Sequence, residues 1–127
     1  MKHSILVVDD DTLIINTLKK NFESFETDVY SAETPEEAKG LLDKTRPDLL
    51  ILDLLLTKED GSVAILDYLK SKEALKNIPV LILTNLDKPE LKTLLLGQGV
   101  KEYIIKGSLS LDELHKKVLS YLEPEEA

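Results

Sequence analysis

The sequence predicts an α/β fold in which helices cover both faces of one parallel sheet of five strands. Continuous apolar runs at residues 4–8, 49–52 and 78–84 are typical of strands that are buried on both faces. Segments with helical spacing of apolar residues alternate with these runs, and right-handed crossovers then make the strands parallel. At 127 residues, the chain has the length of a single domain.

The first strand, residues 4–8, stops abruptly at the acidic triplet Asp9, Asp10 and Asp11. A helix is expected to begin at about Asp11 or Thr12, where an aspartate also suits the positive end of the helix dipole. The apolar residues that recur near helical spacing after the triplet are Leu13, Ile14, Leu18, Phe22 and Phe25.

The second strand, residues 27–32, leads into a helix with three start signals. Thr34 suits the N-cap, Pro35 suits the first helical position, and Glu37 is placed for a capping box. We expect this helix to end near Lys44. Its inward residues are expected to be Ala38, Leu41 and Leu42.

The third strand, residues 49–52, ends at Asp53 and is followed by a loop. Gly61 is expected to close that loop because glycine tolerates a positive φ angle. Ser62 is then expected to cap the third helix. The inward positions of this helix are expected to be among Val63, Ile65, Leu66 and Leu69.

The last two strands, residues 78–84 and 101–105, are each followed by a signal for a helix start. Asp87 stands where a cap is expected, and Ser110 with Glu113 forms another capping box. The apolar residues of these helices are Leu91, Leu94 and Leu95 in the fourth helix and Leu111, Leu114, Val118, Leu119 and Leu122 in the fifth.

Charged or hydroxyl side chains follow or end four of the five predicted strands. They are Asp9, Asp10, Asp53, Thr84 and Lys106. The carboxyl ends of parallel strands form the ligand crevice of such a sheet, so these side chains are expected to meet there. Three carboxylates repel one another unless a hard cation such as Mg²⁺ joins them, and a lysine and a hydroxyl suit a phosphoryl group. The set therefore predicts Mg²⁺-assisted phosphoryl transfer onto Asp53.

The sequence resembles the receiver domains of two-component response regulators over nearly its whole length. The matching segments are residues 5–11, 47–53, 79–84 and 99–106, together with Gly61. The resemblance implies a flavodoxin-like (βα)5 doubly wound fold with a five-stranded parallel sheet in the order 2-1-3-4-5. It also implies a phosphoacceptor signalling domain that assists its own phosphorylation but is not an enzyme. We expect residues 1–122 to form this domain and residues 123–127 to be a polar tail or the start of a linker.

The resemblance also assigns roles to residues by position. Asp53 is implied to be the phosphoacceptor, and Lys106 is implied to contact the phosphoryl group. Asp10 and Asp53 are implied to bind Mg²⁺ directly, with the backbone carbonyl of Leu55 as the other protein ligand. Asp9 is implied to hold a metal-bound water.

The resemblance further implies a switch made of Thr84 and Tyr103. Thr84 contacts the phosphoryl group, and Tyr103 matches the aromatic residue whose inward or outward rotamer follows phosphorylation. Three positions depart from the family pattern. Thr57 and Gly107 replace prolines, so the loop after the phosphoacceptor is expected to be more mobile and the neighbouring lysine to be held less rigidly. Asn85 replaces a small residue, and its bulk could hinder Thr84 or the inward rotamer of Tyr103.

Two leucines border the path that the hydrolytic water takes in this family. Leu55 lies two residues after the phosphoacceptor, and Leu86 lies two residues after Thr84. Apolar side chains at these positions exclude water and offer no group to orient it. We therefore expect a long-lived phosphoryl state.

The resemblance implies partners as well. A sensor histidine kinase or a histidine phosphotransfer protein donates the phosphoryl group, and a downstream protein or an output domain of the same chain responds. The face built from the last two helices and the last strand is the expected output surface. Leu94, Leu95 and Leu96 give the fourth helix more apolar residues than one face needs, which favours a homodimer or a partner contact. His3 and His115 are expected to be surface residues.

Composition excludes several classes of function. The chain has no cysteine, which excludes thiolate metal sites, thiol nucleophiles and disulfides. Its formal net charge of -8 argues against direct contact with nucleic acid, which depends on clustered lysine and arginine. The longest apolar run is too short to span a bilayer, so we expect no membrane insertion. A reducing compartment is compatible with this composition, and we expect the cytoplasm.

Three alternatives compete with a phosphorylated receiver. A Mg²⁺-dependent phosphohydrolase with an aspartyl nucleophile commonly has a second acid two residues later, where this chain has Leu55. A flavin or nucleotide carrier of the same fold needs a phosphate-binding loop after the first strand, where the acidic triplet repels phosphate. The serious alternative is a receiver-like docking module that signals without phosphorylation.

Overall fold

The computed structural model describes residues 3–23, 27–56 and 61–123. Five strands and five helices alternate along the chain. The strands are β1 (His3–Val8), β2 (Thr27–Ala32), β3 (Leu49–Leu52), β4 (Val80–Thr84) and β5 (Glu102–Ile105). The helices are α1 (Thr12–Glu23), α2 (Pro35–Thr45), α3 (Gly61–Ser71), α4 (Pro89–Gly97) and α5 (Leu111–Leu122).

All four strand pairs are parallel, and the sheet has the order β2-β1-β3-β4-β5. This confirms the predicted architecture and strand order. Every residue of β3 is buried, as the continuous apolar run indicated. Because β1, β3 and β4 are neighbours in the sheet, their carboxyl ends lie side by side, and the end of β5 follows next to β4.

The core consists of two layers, one on each face of the sheet. Successive residues of a strand point to opposite faces, so Leu50 and Leu52 belong to one layer while Leu49 and Ile51 belong to the other. Helices α2, α3 and α4 cover the first layer, and helices α1 and α5 cover the second. Within the described residues, no helix has the length and apolar character needed to cross a membrane.

The apolar pattern of the sequence left the helical phase open, and packing against the sheet decides which apolar residues are buried. In α1 the buried stripe is Ile15, Leu18 and Phe22, whereas 72% of Leu13 is exposed. Two residues along a helix turn a side chain by roughly 200°, so a residue two positions before a buried one lies on the opposite face. Other apolar residues of the helical pattern that are exposed are Val63, Leu94 and Leu111. Phe25 lies outside the described residues.

Two of the predicted helix caps are confirmed. The hydroxyl of Thr34 accepts a hydrogen bond from the N–H of Glu37 at 3.2 Å. Ser110 and Glu113 form both halves of a capping box, with distances of 3.0 and 3.1 Å. All three bonds satisfy backbone N–H groups that have no partner inside the helix.

Predictions at the starts of α3 and α4 were wrong. In the described chain the glycines with positive φ are Gly99 and Gly107, and Gly61 instead belongs to α3. Gly61 allows close packing, since a Cβ there would lie 3.0 Å from Cγ of Pro35. Ser62 lies inside α3 rather than at its cap. The N-cap of α4 is Lys88 instead of the predicted Asp87.

His115 is buried on α5, so the prediction that it lies on the surface was wrong. Its ring packs edge-to-face on Phe22 of α1, with ring centroids 5.0 Å apart. Burial lowers the pKa of His115, against a smaller opposing effect of Asp112. His3, the other histidine, is partly buried and lies 3.1 Å from a carboxylate oxygen of Glu123.

We expect His115 to make folding pH-dependent. Because its pKa is lower in the folded state, the unfolded chain binds a proton first as the pH falls through the ordinary value of 6.5. Stability that is present above that pH is therefore lost below it. Urea unfolding at several pH values should show a steeper loss for wild type than for His115→Gln, which cannot titrate. Equal slopes for the two proteins would contradict this account.

Candidate functional site

The side chains predicted from the strand ends do meet at the carboxyl edge of the sheet. Asp9 and Asp10 follow β1, and Asp53 follows β3. One carboxylate oxygen from each of these three aspartates lies within 4.8 Å of the other two. Asp9 and Asp53 are buried, and Asp10 is partly exposed. Three carboxylates in so small a volume offer the oxygen donors that a hard cation such as Mg²⁺ prefers.

Lys106 joins the two buried carboxylates of this site. Its Nζ lies 2.8 Å from Oδ2 of Asp9 and 2.9 Å from Oδ2 of Asp53. Only 11% of the Lys106 side chain is exposed. Burial lowers the pKa of Lys106, but the hydrogen bonds to Asp9 and Asp53 outweigh burial and raise it. The site therefore holds one fixed positive charge against three carboxylates.

Asp53 is held as an anion. Burial raises the pKa of Asp53, but hydrogen bonds from the N–H of Leu55, the hydroxyl of Thr84 and the ammonium of Lys106 outweigh it and lower the pKa. The N–H of Leu55 donates to Oδ1 at 3.0 Å. Asp9 differs because burial dominates there and raises its pKa. The hydrogen bonds to Asp53 therefore favour its ionised form, whereas burial disfavours the ionised form of Asp9.

The backbone N–H and the backbone carbonyl of Asp53 are both hydrogen-bonded as well. Its N–H donates to the carbonyl oxygen of Val8 at 2.9 Å. Its carbonyl oxygen accepts a hydrogen bond from the hydroxyl of Ser62 at 2.9 Å. Sequence reasoning missed this role of Ser62, although a serine next to the apolar stripe of a buried helix is a signal that could have drawn attention to it.

Thr84 and Tyr103 are linked through the backbone of Leu86. Thr84 is fully buried, and its hydroxyl accepts a hydrogen bond from the N–H of Leu86 at 3.3 Å. Tyr103 points inward, and its hydroxyl donates to the carbonyl oxygen of Leu86 at 2.5 Å. The side chain of Asn85 is exposed and does not prevent this inward rotamer.

The remaining expected positions have mixed outcomes. About half of Leu55 is exposed, and Leu86 is partly buried. Gly107 has a φ of 84°, a left-handed conformation that proline cannot adopt. Although glycine follows it in place of proline, Lys106 contacts the carboxylates of both Asp9 and Asp53. Thr57 lies outside the described residues.

The chain is similar to known proteins both in its sequence and in its fold. The chain matches the response regulator receiver domain family over residues 5–119. It is 34% identical over 126 residues to the alkaline phosphatase synthesis transcriptional regulatory protein PhoP of Bacillus subtilis, which covers 99% of this chain and 51% of that protein. It is 32% identical over 118 residues to the DNA-binding dual master transcriptional regulator RpaA of Synechocystis. That alignment covers 93% of this chain and 48% of RpaA.

A similar solved structure is the receiver domain of a Francisella response regulator. The two chains have 31% sequence identity and a TM-score of 0.81, and the alignment covers 98% of this chain and all of the other. The chain spans about half the length of the two curated relatives named above.

Proposed function

Since the chain belongs to the response regulator receiver domain family, we propose that it is a phosphoacceptor signalling domain in which Asp53 receives a phosphoryl group. The observation that carries the proposal is the buried carboxylate of Asp53, held between the ammonium of Lys106 and the N–H of Leu55. A carboxylate nucleophile needs such fixed positive charge to draw in a phosphoryl group. We assign the domain to residues 1–122 and a polar tail or linker start to residues 123–127.

In the proposed reaction, a carboxylate oxygen of Asp53 attacks the phosphorus of a phosphohistidine. The phosphorus–oxygen bond forms as the phosphorus–nitrogen bond breaks, and the imidazole leaves with the electron pair of that bond. Lys106 then neutralises one phosphoryl oxygen, and the hydroxyl of Thr84 donates to another. The chain assists its own phosphorylation and does not turn over a substrate as an enzyme does.

The acidic cluster fits a Mg²⁺ ion because it offers hard oxygen donors and an excess of negative charge. We assign direct ligation to Asp10, Asp53 and the backbone carbonyl of Leu55, and we assign a metal-bound water to Asp9. When bound, Mg²⁺ supplies positive charge that offsets the charge of the phosphoryl oxygens. Lys106 supplies further positive charge at Oδ2 of Asp53.

We propose that Thr84 and Tyr103 pass the phosphorylation state to the surface. The hydroxyl of Thr84 accepts a hydrogen bond from the N–H of Leu86, and the hydroxyl of Tyr103 donates to the carbonyl oxygen of the same residue. When the hydroxyl of Thr84 turns to a phosphoryl oxygen, its bond to Leu86 is lost or shifted. Movement of this backbone then changes the packing of Tyr103 against it.

Receiver domains of response regulators act with histidine kinases and output domains, and two curated relatives are transcriptional regulators by name. For this chain we propose a sensor histidine kinase or a histidine phosphotransfer protein as the donor, in the cytoplasm. We propose that a downstream protein or an output domain of the same chain contacts α4, β5 and α5. Leu94 and Leu96 are exposed on α4 and suit such a contact or a homodimer.

The phosphoryl group is expected to be long-lived because Leu55 and Leu86 give a hydrolytic water no polar group to bind. Replacing Leu55 with asparagine should shorten the lifetime severalfold. Loss of the phosphoryl group can be followed by intact mass after the donor is removed. Leu111→Asn is the matched control, since this leucine is similarly exposed but lies on α5. Loss within seconds from the wild-type protein would contradict this expectation.

Phosphorylation by a small donor tests the proposed function. Wild-type protein is incubated with acetyl phosphate and Mg²⁺, and the intact mass is recorded with and without EDTA. We expect the mass of one phosphoryl group to be gained only when the metal is available. If a folded protein that binds Mg²⁺ gains no mass, the phosphoacceptor proposal fails and the docking module takes its place.

A further inference from the structure

Ser62 is a buried polar residue on α3 whose hydroxyl reaches out of its own helix. Only 6% of the residue is exposed, and its hydroxyl donates to the carbonyl oxygen of Asp53 at 2.9 Å. A serine near a helix start usually accepts a hydrogen bond from a backbone N–H of the same turn. Here the hydroxyl donates instead to a residue that precedes the helix.

The length of chain between donor and acceptor separates this bond from ordinary local ones. Ser71, Ser108 and Ser120 each donate to a carbonyl oxygen three residues earlier in the chain. Such local bonds are common for serine and mainly satisfy the neighbouring backbone. Ser62 donates to a carbonyl oxygen nine residues earlier, and that residue is Asp53.

The carbonyl of Asp53 needs a partner because of where the strand ends. β3 ends at Leu52, so the peptide that joins Asp53 to Leu54 lies beyond the strand. The residue is 4% exposed, and a buried carbonyl oxygen without a donor is costly. The hydroxyl of Ser62 supplies that donor.

Two hydrogen bonds hold the short backbone segment from Asp53 to Leu55. Ser62 fixes the carbonyl of Asp53, and two residues later the N–H of Leu55 donates to Oδ1 of Asp53. The orientation of the intervening peptides sets where the carboxylate and the backbone of Leu55 point. A shift at the carbonyl of Asp53 therefore moves both groups.

We propose that Ser62 is a positioning residue for the phosphoacceptor: its hydroxyl fixes the backbone after Asp53 so that the carboxylate and the carbonyl of Leu55 are aligned for phosphoryl transfer. The inference rests on the proposed function of Asp53. Ser62 acts through the backbone and touches neither the carboxylate nor the incoming group.

The test compares rates of phosphoryl uptake from acetyl phosphate with saturating Mg²⁺, well below the melting temperature of each variant. We expect Ser62→Ala to slow uptake about tenfold, as is typical when a residue that orients a site is removed. Ser62→Cys keeps the size of the side chain but donates weakly, so it should also be slow. The Mg²⁺ dissociation constant should rise in both variants.

Two further variants distinguish positioning from a merely structural role. Ser62→Thr keeps the hydroxyl and should restore the rate. Ser62 lines a groove of about 180 Å³ between α3 and α4. Ser71→Ala removes a hydroxyl-to-carbonyl bond on the same helix and should leave the rate unchanged. A structural role alone would lower the melting temperature of Ser62→Ala without changing its rate.

The outcomes separate this inference from the proposed function. If wild type takes up no phosphoryl group, the proposed function itself fails. If wild type is phosphorylated and folded Ser62→Ala or Ser62→Cys reacts at the wild-type rate, the positioning role of Ser62 is wrong. A Ser62→Thr protein as slow as Ser62→Ala would also contradict it.

Discussion

Asp53→Asn is expected to abolish phosphoryl uptake while the protein stays folded. The amide has nearly the shape of the carboxylate but cannot act as a nucleophile. Incubation with acetyl phosphate and Mg²⁺, followed by intact mass, should give no gain for this variant and a full gain for wild type. Circular dichroism checks that the fold is retained.

A matched control for Asp53→Asn lies at the other end of the same strand. Asp48 precedes β3, and its carboxylate accepts a hydrogen bond from the N–H of Ser4 at 2.9 Å. Asp48→Asn makes the same chemical change away from the site and should leave uptake unchanged. Equal uptake by Asp53→Asn and wild type would mean that another residue accepts the phosphoryl group.

Lys106→Met is expected to have the largest effect on stability, because it leaves two buried carboxylates without their counter-charge. Removing one partner of a buried ion pair costs about 3 kcal/mol of unfolding free energy. Added Mg²⁺ should restore part of this loss, since a cation that binds only the folded state stabilises it. Urea unfolding with EDTA and then with Mg²⁺ measures both effects.

The control for this variant is Lys117→Met. Lys117 lies 3.2 Å from a carboxylate oxygen of Glu102, but 40% of its side chain is exposed. An exposed pair contributes at most about 1 kcal/mol, and we expect no Mg²⁺-dependent recovery. A loss for Lys106→Met no larger than that for Lys117→Met would show that the buried charges are not balanced by Lys106.

The loss of unfolding free energy in Lys106→Met is expected to become smaller as the pH falls. In wild type the pKa of Asp53 lies below its ordinary 3.8, despite burial, so its contribution is present above pH 3.8 and is lost as the pH falls through the lower folded pKa. Without Lys106, burial dominates and the folded pKa rises. The stability difference between the two proteins should therefore shrink as the pH falls from about 7 toward about 4.

The sequence was sufficient to predict the sheet because three of its strands are continuous apolar runs and helix signals separate all five. It was also sufficient to predict which side chains meet, since residues after neighbouring parallel strands share one edge. Asp9, Asp53 and Lys106 are within hydrogen-bonding distance for this reason. No knowledge of their rotamers was needed.

The phase of the helices could not be predicted in the same way. Leu13 and Ile15 are both apolar, and only packing against the sheet decides that Ile15 is buried and Leu13 exposed. His115 was misassigned because its burial depends on Phe22 of another helix. The role of Ser62 depends on a contact nine residues away, which neither capping rules nor periodicity describe.

The most direct test of the central claim is to locate the phosphoryl group on the chain. Protein phosphorylated with acetyl phosphate and Mg²⁺ is reduced with borohydride, which converts an aspartyl phosphate to homoserine, and the peptides are then sequenced by mass spectrometry. We expect homoserine at position 53 and unmodified aspartate at positions 9 and 10. Homoserine at position 9 or 10, or phosphate retained on another residue, would contradict the assignment of Asp53 as the phosphoacceptor.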